Sequence, residues 1–475
     1  MLRRYAVMFA VPVMVTGCTG LSLGENTAGG DTYLEYGEIA VDDRTENAFL
    51  LNTITDKEGI ETKSLLRAID PDSGAVSQVA DLTDRDDSRI LFPASGILVM
   101  SEQNEKDELL LLDKDTFAEK AREPVDVRYH GTRMSSSRDW VAVADNTSEK
   151  APIHIIDTQL LSRRIIPHDG DWLEAMWLNG SDQLFAIVSY IADPDVPGSK
   201  NRSRILAWSM ADVEAGKFEP GEDGFWPDRK IDFVVEDVMP DFFFSFTWVG
   251  ISPDDKWAVF PVVESNPETP EEYQLLVVDT ATGDLRIVHD AKGPVGFTPD
   301  SSTIVSYDDK GSQNGPDGET KDGEIDQRLL LVDVNTLEVD PQDVDISGSI
   351  SYFVSRDGNF VVVASNYEGE KLVLYDIDND ESTQMKGPAA GLDEFVSRKG
   401  KNELWLKDEQ SLLKLDMNKG EITTIPTGYS VGHLNILPKH DWLVLSEPPS
   451  ANESAPRVHF FDPKSLKDVK AIDMP

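Results

Sequence analysis

A glycine-interleaved acidic segment at 308–326 has the clearest potential for metal chemistry in this sequence. Seven of its residues carry carboxylates, and carboxylate oxygens suit a hard cation such as calcium. The candidate ligands are Asp308, Asp309, Asp317, Asp322, Glu324 and Asp326. Their spacing does not fit the calcium loop of an EF-hand, in which acids alternate ahead of a glycine and a glutamate follows. Two interpretations therefore stay open, a calcium site and a solvated acidic loop.

Residue types that carry out catalysis are present but do not form a recognisable set. The seven histidines are scattered without a His-x-x-x-His pair, and one cysteine cannot complete a zinc or haem motif. The serine cluster Ser135–Ser137 lacks the Gly-x-Ser-x-Gly context of a nucleophile elbow. His154 and His459 lie within apolar runs, where we expect them to be structural or to face solvent. The sequence therefore predicts no catalytic residues, no enzymatic activity and no cofactor other than calcium.

The charge balance restricts the class of partner. The chain of 475 residues contains 44 Lys and Arg against 87 Asp and Glu, a formal net charge of −43. Such a surface repels nucleic acid and anionic lipid headgroups, so we expect no nucleic-acid partner. The excess of acids is explained by solubility or by a cationic partner or metal ion, and composition alone does not separate these explanations. Hydrophobic residues make up 40% of the chain, which is enough for a sizeable core.

The single cysteine follows a short hydrophobic segment at the start of the chain. Two arginines precede an apolar run at 6–15, which is too short to span a bilayer as a helix. Small residues stand immediately before Cys18, in the sequence Val15-Thr-Gly-Cys. This arrangement resembles a bacterial lipoprotein signal peptide with its lipobox. The resemblance implies that residues 1–17 are removed and that Cys18 is lipidated, and an ordinary secretory signal is the alternative.

The same resemblance predicts where the protein is located. Thr19 stands where lipoproteins retained at the inner membrane carry an aspartate, which favours the outer membrane, on its periplasmic or surface face. Residues 18–30 are rich in Gly, Thr and Ser and are expected to form a flexible tether. We therefore expect a bacterial cell-envelope protein that contacts the membrane through its lipid anchor only.

The remaining sequence is organised by a repeat. A run of mostly apolar residues that ends in Asp and is followed by a turn recurs along the chain. The copies end at Asp70, Asp113, Asp157, Asp279, Asp333, Asp376, Asp416 and Asp462, and a degenerate copy ends at Ser209. Successive copies are 40–54 residues apart, except for one interval of 70. A period of this size with several short strands in each unit is typical of propeller blades, which must stack because each blade exposes two apolar faces.

A second half-repeat precedes each copy, as Gly250–Gly283 illustrates. There a Ser-Pro-Asp-Asp turn is followed by an apolar strand from Trp257, and a further strand ends in Asp279-Thr-Ala-Thr-Gly. These turns and strands resemble YVTN and WD40-like propeller repeats. The resemblance covers the chain from about Tyr33 and implies an all-β fold, a single propeller of four-stranded antiparallel blades at residues 31–475.

The repeats allow more than one number of blades. Nine copies are present in the sequence, whereas common rings contain up to eight blades. We expect eight blades, with one terminal or degenerate copy incomplete, and rings of seven or nine blades are the alternatives.

Long loops indicate which surface of the ring binds a ligand. The longest connections between second and third strands are predicted at 192–203, 264–272, 308–327 and 447–456. Such loops emerge on one face of a propeller, and variable loops on a rigid scaffold commonly carry binding. A further insertion at 216–248 is rich in aromatic residues, including Phe225 and Trp226. Those two side chains either pack against the ring or form an exposed binding patch.

The sequence therefore predicts a non-enzymatic binding module. We expect a lipid-anchored monomer that binds a protein or a carbohydrate of the envelope through its long-loop face. One alternative is a scaffold in outer-membrane protein assembly, because the segment starting at Asp279 resembles the docking motif of quinoprotein propellers, a superfamily with lipidated eight-bladed scaffolds. Ile287 stands where that motif has Trp, so no quinone is expected. A propeller hydrolase or lyase is the other alternative.

Overall fold

The chain forms a closed ring of nine antiparallel β-sheets in the computed structural model. The structure describes residues 39–474 apart from internal gaps. Gaps of five or more residues lie at 56–60, 126–130, 145–149, 191–201, 217–230, 240–249, 265–271, 310–325, 366–370, 389–394 and 449–455, and the other gaps are shorter.

Each sheet is one blade, built from consecutive strands in chain order. Blades 1 to 3 contain β1 (Ile39–Val41), β2 (Ala48–Thr55), β3 (Glu61–Ile69) and β4 (Val76–Asp81); β5 (Asp86–Leu91), β6 (Ile97–Gln103), β7 (Lys106–Leu112) and β8 (Glu119–Val125); and β9 (Gly131–Met134), β10 (Trp140–Ala144), β11 (Ile153–Asp157) and β12 (Arg163–Ile166). Blades 4 to 6 contain β13 (Trp172–Leu178), β14 (Gln183–Tyr190), β15 (Arg202–Ser209) and β16 (Ile231–Phe233); β17 (Val238–Met239), β18 (Gly250–Ile251), β19 (Trp257–Glu264), β20 (Glu272–Asp279) and β21 (Leu285–His289); and β22 (Lys292–Phe297), β23 (Thr303–Asp309), β24 (Asp326–Asp333) and β25 (Val339–Ser347). Blades 7 to 9 contain β26 (Ile350–Val354), β27 (Phe360–Ser365), β28 (Lys371–Asp376) and β29 (Glu381–Lys386); β30 (Phe395–Ser397), β31 (Glu403–Asp408), β32 (Ser411–Asp416) and β33 (Glu421–Pro426); and β34 (Leu434–Leu437), β35 (Trp442–Glu447), β36 (Arg457–Asp462) and β37 (Lys467–Asp473). In blade 5, β17 and β18 both pair with β19 and together occupy the place of a first strand.

The propeller of four-stranded blades is confirmed, but the expectation of eight blades is wrong, because all nine repeats form blades. The degenerate copy forms blade 4, in which β14 pairs with both β13 and β15. Strand formation there depends on buried apolar residues such as Ile205 and Trp208, not on the Asp that ends other copies. Ser209 stands in that place and caps the short helix α1 (Met210–Glu214), where its hydroxyl accepts the backbone N–H of Asp212 at 3.0 Å. Within the described ranges, no helix has the length and apolar character needed to cross a membrane.

Apolar side chains fill every junction between neighbouring blades. Nine core clusters are present, and each combines residues of two adjacent blades. The cluster that closes the ring joins Ala48 and Leu50 of blade 1 to Val458 and Phe460 of blade 9. Each blade therefore buries both of its faces, and the ninth blade covers apolar surface that blades 1 and 8 would otherwise expose.

Among the described strands, none is exchanged between the two ends of the ring. Blades 1 and 9 are each formed from one segment of the chain in order, so their junction depends on packing and side-chain hydrogen bonds. The buried Glu46 carboxylate of blade 1 accepts the backbone N–H of Lys439 at 3.1 Å. The two ring nitrogens of His440 in blade 9 lie 3.2 Å from Glu46 and 3.1 Å from Asp72. These polar contacts reinforce the apolar core of the closing junction.

The two faces of the ring differ in their connections. First strands of neighbouring blades pack against one another, as β1 does against β34 and β22 against β26, and they surround the central axis. Fourth strands such as β29 and β37 are exposed and form the outer rim. Because successive strands alternate in direction, the turns after the first and third strands share one face, which we call the turn face. The loops after the second strands share the opposite face with the links between blades, and we call it the long-loop face.

Aspartates on the turn face hold the chain in its turns. In the turn after β20, the Asp279 carboxylate accepts backbone N–H groups two and three residues later at 2.9 and 2.8 Å. In the turn before β19, Ser252 donates to Asp254 at 2.8 Å, and Asp255 has a left-handed φ of 60°. The arrangement at Asp279 recurs at Asp70, Asp113, Asp157 and Asp333. The acids of the repeat are therefore turn-forming residues.

Candidate functional site

Other acids on the turn face join different blades. Three carboxylates bind a side chain of another blade: Asp43 binds Arg138 at 2.8 Å, Asp357 binds Asn402 at 2.5 Å and Asp441 binds Arg398 at 2.9 Å. Such bonds fix one turn relative to another. Turns and contacts between blades therefore account for these acids, which leaves the long-loop face as the candidate surface for a site.

The predicted site residues lie mostly beyond the part of the chain that can be described. Asp308 and Asp309 end β23 and Asp326 begins β24, so these three lie at the base of one long loop. Outside the described residues lie Cys18, Phe225, Trp226, Asp317, Asp322 and Glu324. Among the residues that are described, no group of three or more His, Cys, Asp or Glu side chains could hold a metal ion. The calcium site and the aromatic patch remain predictions.

A polar network extends along the junction between blades 8 and 9 from its long-loop end. His459 in β36 is buried, with 5% of its surface exposed, and carboxylates contact both of its ring nitrogens. Its Nε2 lies 2.9 Å from Glu447 and its Nδ1 lies 3.0 Å from Asp468. Carboxylate partners at both nitrogens favour the imidazolium form of His459, in which each nitrogen carries a proton to donate. We call these three residues, together with Tyr429 and Arg457, the seam site.

Tyr429 reaches the seam site from the link between blades 8 and 9. Its ring stacks on His459, with ring centroids 3.7 Å apart and an interplanar angle of 14°. Its hydroxyl donates to Asp468 at 3.0 Å. Burial and the charge of Asp468 raise the pKa of Tyr429 well above its usual value of 10, so the phenol stays protonated and donates. Tyr429 therefore orients Asp468 and contributes a half-buried aromatic ring to the site.

Arg457 and Asp473 extend the network toward solvent. The exposed fraction of the side chain is 41% for Arg457 and 76% for Asp473, and the guanidinium Nε lies 2.5 Å from the carboxylate. Across the junction, Lys407 of blade 8 donates to the backbone carbonyl of Gly432 at 2.6 Å. That bond fixes the link that carries Tyr429. At its exposed end the seam site therefore presents the paired donors of Arg457 and acceptors of Asp473. The Lys407 bond holds the neighbouring backbone in place.

Two opposing effects set the pKa of His459. Burial lowers the pKa, but the hydrogen bonds and charges of Asp468 and Glu447 together outweigh burial and raise it above the usual 6.5. His154 occupies the equivalent position of blade 3, three residues before the Asp that ends the third strand. There burial and the charge of Arg163 lower the pKa to about 4. The same position of the repeat thus holds a histidine with a raised pKa in blade 9 and one with a lowered pKa in blade 3.

The turn end of the same junction is also ionic. The buried Arg398 guanidinium contacts Asp441 of blade 9 at 2.9 Å and Glu403 of its own blade at 2.7 Å. Lys414 adds a second cation 2.8 Å from Glu403. Between the two polar ends lies an apolar core around Trp405. This core and the ionic contacts hold blades 8 and 9 together beneath the seam site, which keeps its side chains in fixed positions.

The pattern of the sequence did not reveal the seam site. The sequence predicts that His459 is structural or solvent-facing, because it lies within an apolar run, and the run does not show which acids lie beside it. Strand register brings them together, since β35 ends with Glu447 opposite Arg457 and Asp468 lies on the next strand. A weaker signal was present in the alternation of β36, where Arg457 and His459 are two residues apart and so share one face of the strand.

The melting temperature is expected to fall as the pH rises above about 6.5. Burial lowers the pKa of His440, but Asp72 and Glu46 outweigh burial, so His440 and His459 both have raised pKa values in the folded protein. A raised pKa gives stabilisation that is complete below the unfolded pKa and is lost as the pH passes the folded pKa. Calorimetry between roughly pH 6 and 9 should therefore show a smaller loss for the double variant His440→Gln and His459→Gln than for the wild type.

His154 provides a control of opposite sign. Its lowered pKa means that the folded state resists protonation, so its stabilisation is complete above about pH 6.5 and is lost as the pH falls toward 4. His154→Leu should therefore flatten the acid side of the stability profile and leave the alkaline side unchanged. Identical alkaline slopes for the wild type and the double variant would contradict the assigned charge of His440 and His459.

Comparison with known proteins supports the fold and leaves the function open. No family model matches the chain, and no curated protein matches it in sequence. A eukaryotic initiation factor is similar over 87% of this chain and 96% of its own, with 10% identity and a TM-score of 0.52. Dihydro-heme d1 dehydrogenase NirN covers 79% of this chain and 73% of its own, with 14% identity and a TM-score of 0.47. Dipeptidyl peptidase 4 of Porphyromonas gingivalis covers 92% of this chain and 60% of its own, with 12% identity and a TM-score of 0.47.

Identities this low carry information about the fold alone. The neighbours include enzymes, and their activities are not transferred to this chain. Membership of the YVTN or WD40-like repeat families stays a prediction, because the observed likeness is one of propeller architecture.

Proposed function

We propose that the protein is a ligand-binding propeller of the bacterial cell envelope, anchored through a lipid on Cys18, and that the seam site forms part of its binding surface. The observation that carries the proposal is the seam network itself. A buried histidine lies between two carboxylates, and the network continues to the partly exposed pair Arg457 and Asp473. The seam site also adjoins the connection between β35 and β36, one of the predicted long loops. Polar groups on a rigid scaffold beside a long loop favour binding.

The protonation states of the seam site favour binding over acid–base catalysis. A general base needs an unprotonated nitrogen near neutral pH, whereas each nitrogen of His459 shares its proton with a carboxylate. The raised pKa of Tyr429 keeps its phenol from acting as a base or a nucleophile. The network instead holds donors and acceptors in place. We therefore propose that the seam site binds its ligand without converting it.

The binding role is tested with the full chain immobilised on a support. Isolated envelopes of the source organism are passed over it, and the amount of retained material is measured. The double variant Glu447→Gln and Tyr429→Ala is expected to bind about tenfold more weakly, which corresponds to about 1.4 kcal/mol. Asp115→Ala, at an exposed position on the turn face, is the matched control and should bind as the wild type does. Equal binding by all three proteins would exclude the seam site, and absence of binding by the wild type would refute the proposed role.

The anchor is tested separately by labelling cells with palmitate. Cys18→Ala is expected to remove the label and release the protein from the membrane fraction. A label that persists in that variant would refute the anchor and leave the binding role to be judged by the first experiment.

A further inference from the structure

We propose that the seam site binds a neutral carbohydrate, an inference that rests on the binding role proposed above. Charged groups of the site are paired with each other: Arg457 with Asp473, and His459 with Glu447 and Asp468. Charges that already have partners give an ionic ligand little net attraction, and the chain as a whole, with a net charge of −43, repels anions.

The exposed polar groups match pairs of sugar hydroxyls. A guanidinium offers several N–H donors in one plane, and a carboxylate offers two acceptor oxygens. Arg457 and Asp473 present these groups side by side, joined at 2.5 Å and both partly exposed. Neighbouring hydroxyls on a sugar ring each donate and accept, so one can donate to Asp473 while the next accepts from Arg457.

Tyr429 supplies an aromatic surface for the apolar face of a sugar. Its ring is fixed before any ligand arrives, by the stack on His459 and by the hydrogen bond to Asp468. A fixed side chain loses little conformational entropy when a ligand binds. The side chain packs partly against the core between blades 8 and 9, and contact between its exposed part and the C–H groups of a sugar ring removes apolar area from water.

A protein partner fits these surroundings less well. The centre of a protein interface is rich in aromatic and other apolar residues that become fully buried. The exposed large apolar side chains among the described residues are dispersed: Leu160, Ile165, Ile287, Val339, Leu466 and Val469. They lie in turns and fourth strands of blades 3, 5, 6 and 9, on the turn face and the outer rim, and they do not surround the seam site.

The test is calorimetric titration of the full chain with maltohexaose, cellohexaose and mannohexaose, with a hexameric oligogalacturonate as the charged comparison. We expect at least one neutral sugar to bind, and Tyr429→Ala and Arg457→Ala each to weaken that binding by about tenfold or more. Tyr429→Phe keeps the aromatic ring and should retain most of the affinity. Lys464→Ala, at the turn end of the same junction, is the matched control and should bind as the wild type does.

The outcomes separate this inference from the proposed function. Envelope binding that persists while none of the neutral sugars binds, and that protease treatment of the envelopes abolishes, would overturn the carbohydrate assignment and keep the binding role. Tighter binding of oligogalacturonate than of every neutral sugar would also overturn it. If Tyr429→Ala does not fold, Arg457→Ala decides, and unchanged sugar affinity in that variant would place the sugar elsewhere.

Discussion

Trp405→Ala is expected to lower the free energy of unfolding by about 3–5 kcal/mol. Trp405 in β31 is completely buried in the core between blades 8 and 9, and its ring lies edge-on to Phe461 with centroids 6.1 Å apart. Alanine leaves a cavity that the junction cannot close easily, because strand pairing and ionic contacts fix both blades. Urea unfolding monitored by circular dichroism measures the loss.

Two further variants separate cavity formation from other effects at this junction. Within the described part of the chain the Trp405 indole N–H has no hydrogen-bond acceptor. Trp405→Phe therefore removes an unsatisfied donor along with some volume, and it should cost less than the alanine variant. Leu466→Ala, on a side chain that is 41% exposed, should change stability by no more than about 0.5 kcal/mol. Equal losses for Trp405→Ala and Leu466→Ala would contradict a tightly packed junction.

Gly96→Ala is expected to destabilise the ring by about 3 kcal/mol or more, because it forces an atom into the backbone of the neighbouring strand. A β-carbon at Gly96 would lie 2.0 Å from the carbonyl oxygen of Leu112. The backbone of this turn must then move. That movement would break the hydrogen bond that Arg44 of blade 1 donates to the Gly96 carbonyl of blade 2 at 3.2 Å. Thermal unfolding is the measurement.

The control for Gly96 is Gly400→Ala. No atom lies within 4 Å of a β-carbon built at Gly400, although the backbone there has a φ of 68°. The expected cost is only that of an alanine in a left-handed conformation, about 1 kcal/mol. Similar losses for the two alanine variants would show that the close approach to Leu112 relaxes at little cost.

The propeller could be predicted because the strands and turns of each blade are specified by residues within that blade. Apolar strands end at turn-forming aspartates such as Asp279. The pattern occurs in enough copies to be recognised even though single copies depart from it. The number of blades could not be predicted, because the copy ending at Ser209 lacks that aspartate. Its strand is nevertheless buried in a complete blade. The number of blades follows from which apolar faces cover each other, and that requires the junctions.

The seam site could not be predicted, because it depends on contacts between strands and between blades. His154 and His459 occupy the same position of the repeat, yet burial lowers the pKa of one and two carboxylates raise the pKa of the other. Only the register of β35, β36 and β37 decides which acids face His459. Tyr429 lies in the link between blades 8 and 9, and the repeat pattern does not predict the path of that link. Loop length did point to this region of the chain, since Glu447 begins one of the predicted long loops.

Hydrogen–deuterium exchange of the full chain, with and without solubilised envelope material, tests most directly whether ligands bind at the seam site. Bound material is expected to slow exchange in the link at 427–433 and at the start of β36, and to leave the turns at 279–283 and 333–337 unchanged. Slower exchange confined to those turns, with no change at 427–433, would contradict a binding surface on the long-loop face.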